Sequence, residues 1–250
     1  NNRFIEAKNY LKKIKKTNKI YNWYKIKQKT KIISKLENDG EAIEYIEKKF
    51  SNIQNPTNKM IYDMANYYKN KKNYKLAIKK YTEVLNNISK DSIIYSNVLY
   101  RRGASFERLE RYKESDSDLL NALKINPEDS YILNYIGYSW LERNYKIDEA
   151  IKMLKEAHRL NENDPYIIDS IGWGYYLIED FIKAESYMIQ AVQLMPLDPV
   201  VNDHYGDILW KLNRKLEAKY FWKNTLDLDE TDEEMRINIH IKLLKGIPSS

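Results

Sequence analysis

The sequence predicts an all-α fold: a right-handed superhelical solenoid of antiparallel helix pairs, closed by a C-terminal capping helix. Three observations predict it. Four of the seven glycines, Gly103, Gly137, Gly172 and Gly206, recur at intervals of 34, 35 and 34 residues, and a period near 34 marks stacked helix pairs. A helix-interior glycine costs roughly 0.5–1 kcal/mol relative to alanine, so its recurrence points to backbones packed too closely for a side chain. Second, with this glycine at position 8 of each repeat, small residues return where a second helix must cross the first. Third, seven glycines and six prolines in 250 residues leave little for a loop-rich or β fold.

The repeats begin near Ser96, Ser130, Pro165 and Pro199. Position 20 is Ser115, Ala150, Ala184 and Ala218, with Ala150 in place after a one-residue insertion near Asn144–Lys146. Position 27 is Ala122, Ala157, Ala191 and Thr225. Pro127 and Pro196 stand at position 32, where proline ends a helix it cannot continue.

Weaker copies run toward the N-terminus. Ile61, Met64, Ala65, Tyr68, Ala77 and Tyr81 define a repeat over residues 58–95, and Ala42 and Ile46 a degenerate one over 23–57. Ala7 lies 35 residues before Ala42, so residues 1–22 read as the second helix of a preceding unit. The protein is therefore expected to continue upstream, where a targeting signal would lie. The remaining repeats span 96–129, 130–164, 165–198 and 199–231. Residues 232–250 form the cap: Asp232-Glu233-Glu234 place carboxylates at a helix N-terminus, Met235, Ile237, Ile239, Ile241, Leu243 and Leu244 are apolar, and Lys242, Lys245, Gly246 and Pro248 mark the stop.

These positions resemble the tetratricopeptide repeat (TPR). The runs Tyr-Ile-Gly-Tyr-Ser-Trp (135–140), Ser-Ile-Gly-Trp-Gly-Tyr-Tyr (170–176) and His-Tyr-Gly-Asp-Ile-Leu-Trp (204–210) carry the resemblance. Over about 130–226, Asp-Glu-Ala-Ile (148–151), Asp-Ser-Ile-Gly-Trp (169–173) and Glu-Ala-Lys-Tyr-Phe-Trp (217–222) are also similar to the C-terminal repeats of long bacterial TPR proteins. Some of these are outer-membrane lipoproteins that present substrates to a carboxyl-terminal processing protease. The resemblance implies a non-catalytic protein-binding scaffold or adaptor.

Composition narrows the chemistry. With no cysteine, disulfides, zinc-thiolate sites and thiol nucleophiles are excluded; the cytoplasm and the periplasm both suit such a chain. No apolar run approaches the roughly 18 residues of a membrane-spanning helix. His158, His204 and His240 fall in separate helices without a metal-pairing neighbour. No phosphate loop or nucleophile elbow occurs. No cofactor, metal or catalytic group is expected.

Residues 1–100 carry 22 Lys+Arg against 9 Asp+Glu, and residues 101–250 carry 20 against 27. The basic half suits RNA or an anionic membrane surface, or solvated faces in a sequence biased to lysine, asparagine, isoleucine and tyrosine by A/T-rich codons. Self-assembly through the half-repeat at residues 1–20 is a third possibility.

Binding is expected in the groove lined by first helices. Positions 2, 5, 9 and 12 of each first helix form the exposed stripe. It comprises Tyr131, Asn134 and Tyr138; Tyr166, Asp169, Trp173 and Tyr176; Asp203, Asp207 and Trp210; and, earlier, Tyr62, Asn66 and Tyr100. Aromatics anchor interfaces well, but the same residues also suit packing between neighbouring first helices; Trp140, at a consensus core position, is read as core. The three aspartates favour a ligand with lysine or arginine. TPR domains that grip acidic chaperone tails use lysine and asparagine at fixed groove positions; Asn66 fits that pattern, whereas Tyr62, Tyr100 and Ala104 do not.

Overall fold

In the computed structural model the described residues are 18–247 together with Glu6. Residues 1–5 and 7–17 of the expected half-repeat, and Pro248, lie outside them. The described residues form thirteen α-helices and no strand. The chain divides into two compact units, one ending at Lys90 and the other starting at Asp91.

The N-terminal unit holds α1 (Lys19–Leu36), α2 (Asp39–Ser51), α3 (Asn58–Asn70) and α4 (Tyr74–Leu85), packed as the pairs α1–α2 and α3–α4. Helix α1 starts four residues before the Trp23 boundary read from sequence, because the Asn18 side chain caps it by accepting from the Tyr21 N–H. The core of this unit contains Trp23, Ala42, Ile46, Met64, Ala65, Ala77 and Tyr81.

The C-terminal unit holds α5 (Ile93–Glu107), α6 (Tyr112–Ile125), α7 (Ser130–Glu142), α8 (Ile147–Leu160), α9 (Pro165–Leu177), α10 (Phe181–Leu194), α11 (Pro199–Lys211), α12 (Lys215–Asp227) and α13 (Glu233–Lys245). Helices α5 to α12 form four antiparallel pairs, and α13 packs on α12. Helices α7, α9 and α11 start alike: Asp129, Asp164 and Asp198 each accept from the N–H groups of the second and third helical residues. Pro165 and Pro199 supply the first helical residue of α9 and α11.

The period has the packing cause expected of it. Ala150, Ala184 and Ala218 are fully buried, as are Ala122, Ala157, Ala191 and Thr225. A Cβ on Gly206 would come within 2.5 Å of the Trp222 ring, and one on Gly137 within 2.8 Å of the Ala150 carbonyl oxygen. Gly172 is looser; its nearest neighbour would be the flexible Met188 Cε at 3.2 Å.

A second periodicity was not visible in the sequence. Each first helix from α3 to α11 ends in a left-handed residue: Lys72, Glu110, Asn144, Glu179 and Asn213. The next N–H bonds back to the last turn, as in Asn73 to Tyr68, Arg111 to Phe106 and Asp180 to Tyr175. This six-residue closure satisfies a carbonyl the helix would otherwise leave free. The insertion before α8 adds a second left-handed residue, Lys146.

Candidate functional site

In the C-terminal unit the sequence brings one stripe of side chains from α7, α9 and α11 together, because these first helices lie side by side. Tyr131 and Tyr166 open α7 and α9 at the same repeat position and are 53% and 63% exposed. The Tyr131 hydroxyl donates to the Asp164 carboxylate at 2.9 Å, which ties the ring to the cap of the next first helix. Asn134 is half-buried; its amide donates to Ser170 Oγ at 3.2 Å, while its Oδ1 is buried without a partner.

Deeper in the stripe the aromatics pack on one another. The Trp173 indole stacks on Tyr176 with ring centroids 4.4 Å apart and on His204 at 4.0 Å. Its N–H donates to Glu142 of α7 at 2.7 Å. His204 Nδ1 lies 2.9 Å from Asp169 Oδ1, both side chains being buried. Burial pushes the His204 imidazole down, but the Asp169 charge and hydrogen bond outweigh it and hold the imidazole above its ordinary value. Tyr138, also half-buried, is pushed up by burial and by Glu142 and Asp169. Tyr176 is pushed up by burial and by Asp207 and Asp203.

The acidic end of the stripe meets the cap. Lys242 of α13 donates to Asp203 at 2.7 Å and to Asp207 at 2.8 Å. Asp207 also accepts from the Trp222 indole N–H at 2.9 Å. Trp210, half-buried, donates to the Ile247 carbonyl at 3.3 Å and packs against Trp222.

The earlier positions sit in packing contacts. Tyr62 meets Tyr81 edge-on at 6.0 Å, and Asn66 Oδ1 accepts from the Tyr81 hydroxyl at 2.7 Å. Tyr100 meets Tyr135 edge-on at 5.5 Å. Trp140 is buried, with its N–H on Asp116.

Sequence reasoning missed His204, Glu142, Ser170 and Lys242. Their partners lie 31–39 residues away, and only His204 had a local signal, standing between Asp203 and the Gly206 position. Among the described residues no group of three or more His, Asp or Glu side chains is arranged to hold a metal. No described helix is long and apolar enough to cross a membrane.

Paired helices at a fixed repeat, with a cap on the last pair, define a helical-repeat scaffold. The comparisons name the kind. Residues 96–129 match the family model described as tetratricopeptide repeat. The "TPR repeat-containing protein PA4667" of Pseudomonas aeruginosa is 28% identical over 111 residues, which is 44% of this chain and 19% of that protein. The chain thus spans about a fifth of that relative's length. The thermophilic TPR protein TTC0263 of Thermus thermophilus superposes with a TM-score of 0.65 at 18% identity, over 75% of this chain and 100% of that one. YrrB, described as a TPR protein with an unusual peptide-binding site, superposes with a TM-score of 0.51 at 18% identity, over 72% and 90%. Residues 96–129 thus form a tetratricopeptide repeat, and the fold of the chain is that of the TPR proteins it superposes on.

Proposed function

We propose that the chain is a non-catalytic scaffold that holds a segment of a partner protein along the first helices of its C-terminal unit. The observation that carries this reading is the pair Tyr131 and Tyr166. Two aromatic rings at equivalent positions of successive repeats, each more than half exposed, exceed what packing requires and offer large contact area at low entropy cost. Trp173, Tyr176 and His204 would stiffen the surface beneath, since they are already stacked. Asn134 adds a polar contact to this surface, and Tyr138 further aromatic area.

The narrower role is that of an adaptor presenting substrates to a periplasmic carboxyl-terminal processing protease. It is supported by the motifs of residues 130–226 and would place the protein at the outer membrane. The nucleic-acid and membrane readings are less favoured. In the basic unit Lys27 and Lys59 are paired with Asp63, Lys71 with Asp39 and Lys80 with Glu83, so part of the positive charge is matched locally.

Affinity capture from bacterial lysate tests the reading, comparing wild type with Tyr131→Ala/Tyr166→Ala. Both rings are exposed, so the double variant should keep its melting transition within about 0.5 kcal/mol per site. A specific partner lost by the variant supports the proposal; a protease among the lost species supports the adaptor role. Identical capture by both proteins sinks it.

A further inference from the structure

Helix α13 caps the array without sealing it. A cleft of about 510 Å³ remains between α11 and α13. Its walls carry the carboxylates of Asp203, Asp207, Asp232 and Glu234 and the apolar side chains of Met235 and Ile241, with Lys242 as its cation. Ile239 is the one buried residue of α13. Ile237, Ile241 and Leu244, spaced by four and three residues and so on one face, are 54%, 48% and 83% exposed. A solenoid end normally presents a polar outer face; this one leaves an apolar stripe beside an acidic cleft.

The N-terminal unit contains a template for what the cleft lacks. Asp63 of α3 accepts from the Trp23 indole N–H at 2.9 Å and from two lysines, Lys27 at 2.6 Å and Lys59 at 2.5 Å. Asp207 of α11 likewise accepts from an indole N–H, that of Trp222, but has one lysine, which it shares with Asp203. The C-terminal arrangement is at least one cation short of the N-terminal one.

We propose that this cleft docks a basic amphipathic segment of a partner protein, whose lysine or arginine joins or displaces Lys242 on Asp203 and Asp207 while its apolar side chains cover Met235, Ile237 and Ile241. The reading rests on the scaffold function above and names the chemistry of its ligand at one end. Four carboxylates against one ammonium repel an acidic peptide or a nucleic acid and attract a cationic one. Lys242 is then an internal competitor: it holds the site closed until a partner cation replaces it. The state of Asp207 agrees, since burial raises its carboxyl to about 6 despite Lys242, and a second cation would favour its ionised form.

Fluorescence anisotropy with a labelled peptide of three Leu-Lys-Lys-Leu repeats tests the proposal, with Leu-Glu-Glu-Leu repeats as the control. Wild type should bind the lysine peptide and not the glutamate peptide. Asp203→Asn/Asp207→Asn keeps size and one acceptor oxygen at each position but removes the charge, and should weaken binding about tenfold or more. Lys242→Gln should tighten it several-fold, and Lys242→Arg should leave it near wild type. Equal affinity of wild type and the asparagine pair overturns the proposal, as does weaker binding by a Lys242→Gln protein with wild-type helical circular dichroism. If Lys242→Gln loses helix, the asparagine pair and Lys242→Arg decide. A concentration-dependent dimer without peptide, abolished by Ile241→Glu, would assign the cleft to a second copy and also overturn it. Capture of a lysate partner that needs Tyr131 and Tyr166 but survives the asparagine pair would leave the scaffold reading standing and remove this one.

Discussion

Asp63 and Asp207 are the same device in two settings. Each is a carboxylate on a first helix, bonded to a tryptophan N–H and to lysine. Burial pushes Asp63 up, but hydrogen bonds from Lys27, Lys59 and Trp23 outweigh it and hold the carboxyl below its ordinary 3.8. For Asp207 burial wins: Lys242 and Trp222 pull down, Asp203 pushes back, and the carboxyl settles at about 6. The difference lies in the number of cations supplied. An ion pair stabilises a buried carboxylate only when its charge is matched as fully as it was in water.

The sharpest way to break this comparison is to remove the better-matched carboxylate. Asp63→Ala leaves the Trp23 N–H without its acceptor and two lysines without a counter-charge, and should destabilise the N-terminal unit by about 2–3 kcal/mol in denaturant unfolding. A loss below that of Asp207→Asn would reverse the ranking. Next in size is Gly206→Ala. Its methyl would press into the Trp222 ring at 2.5 Å, pushing the indole off Asp207, with an expected cost of about 2 kcal/mol. Gly172→Ala, whose methyl would meet Met188 Cε at 3.2 Å, Tyr187 Cβ at 3.3 Å and the Ala184 carbonyl oxygen at 3.4 Å, should cost much less; equal melting of the two variants would refute this packing account.

Lys242→Gln should cost about 1–2 kcal/mol at pH 7 and less at pH 5, where Asp207 can take a proton. The same comparison predicts a pH profile. The folded value of Asp207 lies above 3.8, so its contribution to stability is fully present below pH 3.8 and is lost as pH rises through about 6. Asp63, held below 3.8, contributes above that pH and loses its contribution as the solution is acidified through its folded value. His204, raised above 6.5, contributes below 6.5 and loses its contribution as pH climbs through its folded value, a higher window. Thermal melts from pH 3 to 8 should show the slope between pH 4 and 6 flatten in Asp207→Asn alone. A slope unchanged by that substitution would mean Asp207 is ionised throughout.

The architecture was legible because its causes are local and repeated. Gly137 and Gly206 mark crossings that a Cβ would obstruct, and Ala184 and Ala218 mark buried contacts at the same place in each pair. The left-handed turns were hidden because lysine and glutamate at positions 72, 110 and 179 carry no conformational signature; the closing hydrogen bonds hold them there. The site was legible only as a stripe. Which aromatics face solvent, as Tyr131 and Tyr166 do, and which stack, as Trp173 does on His204, is decided by contacts between repeats. Lys242 was out of reach for another reason: a cap has no counterpart in the period, so nothing in the repeats says where its lysine points.

The tight turns at Lys72, Glu110, Asn144, Glu179 and Asn213 also bear on how the protein acquires its shape. Each joins two helices that are neighbours in sequence and in space, so the loop closed at each step is short and its entropic cost small. Such a chain should fold quickly, pair by pair, as a nearest-neighbour array does. The capping helix, whose lysine bonds 35 to 39 residues back, can dock only after α11 and α12 have formed.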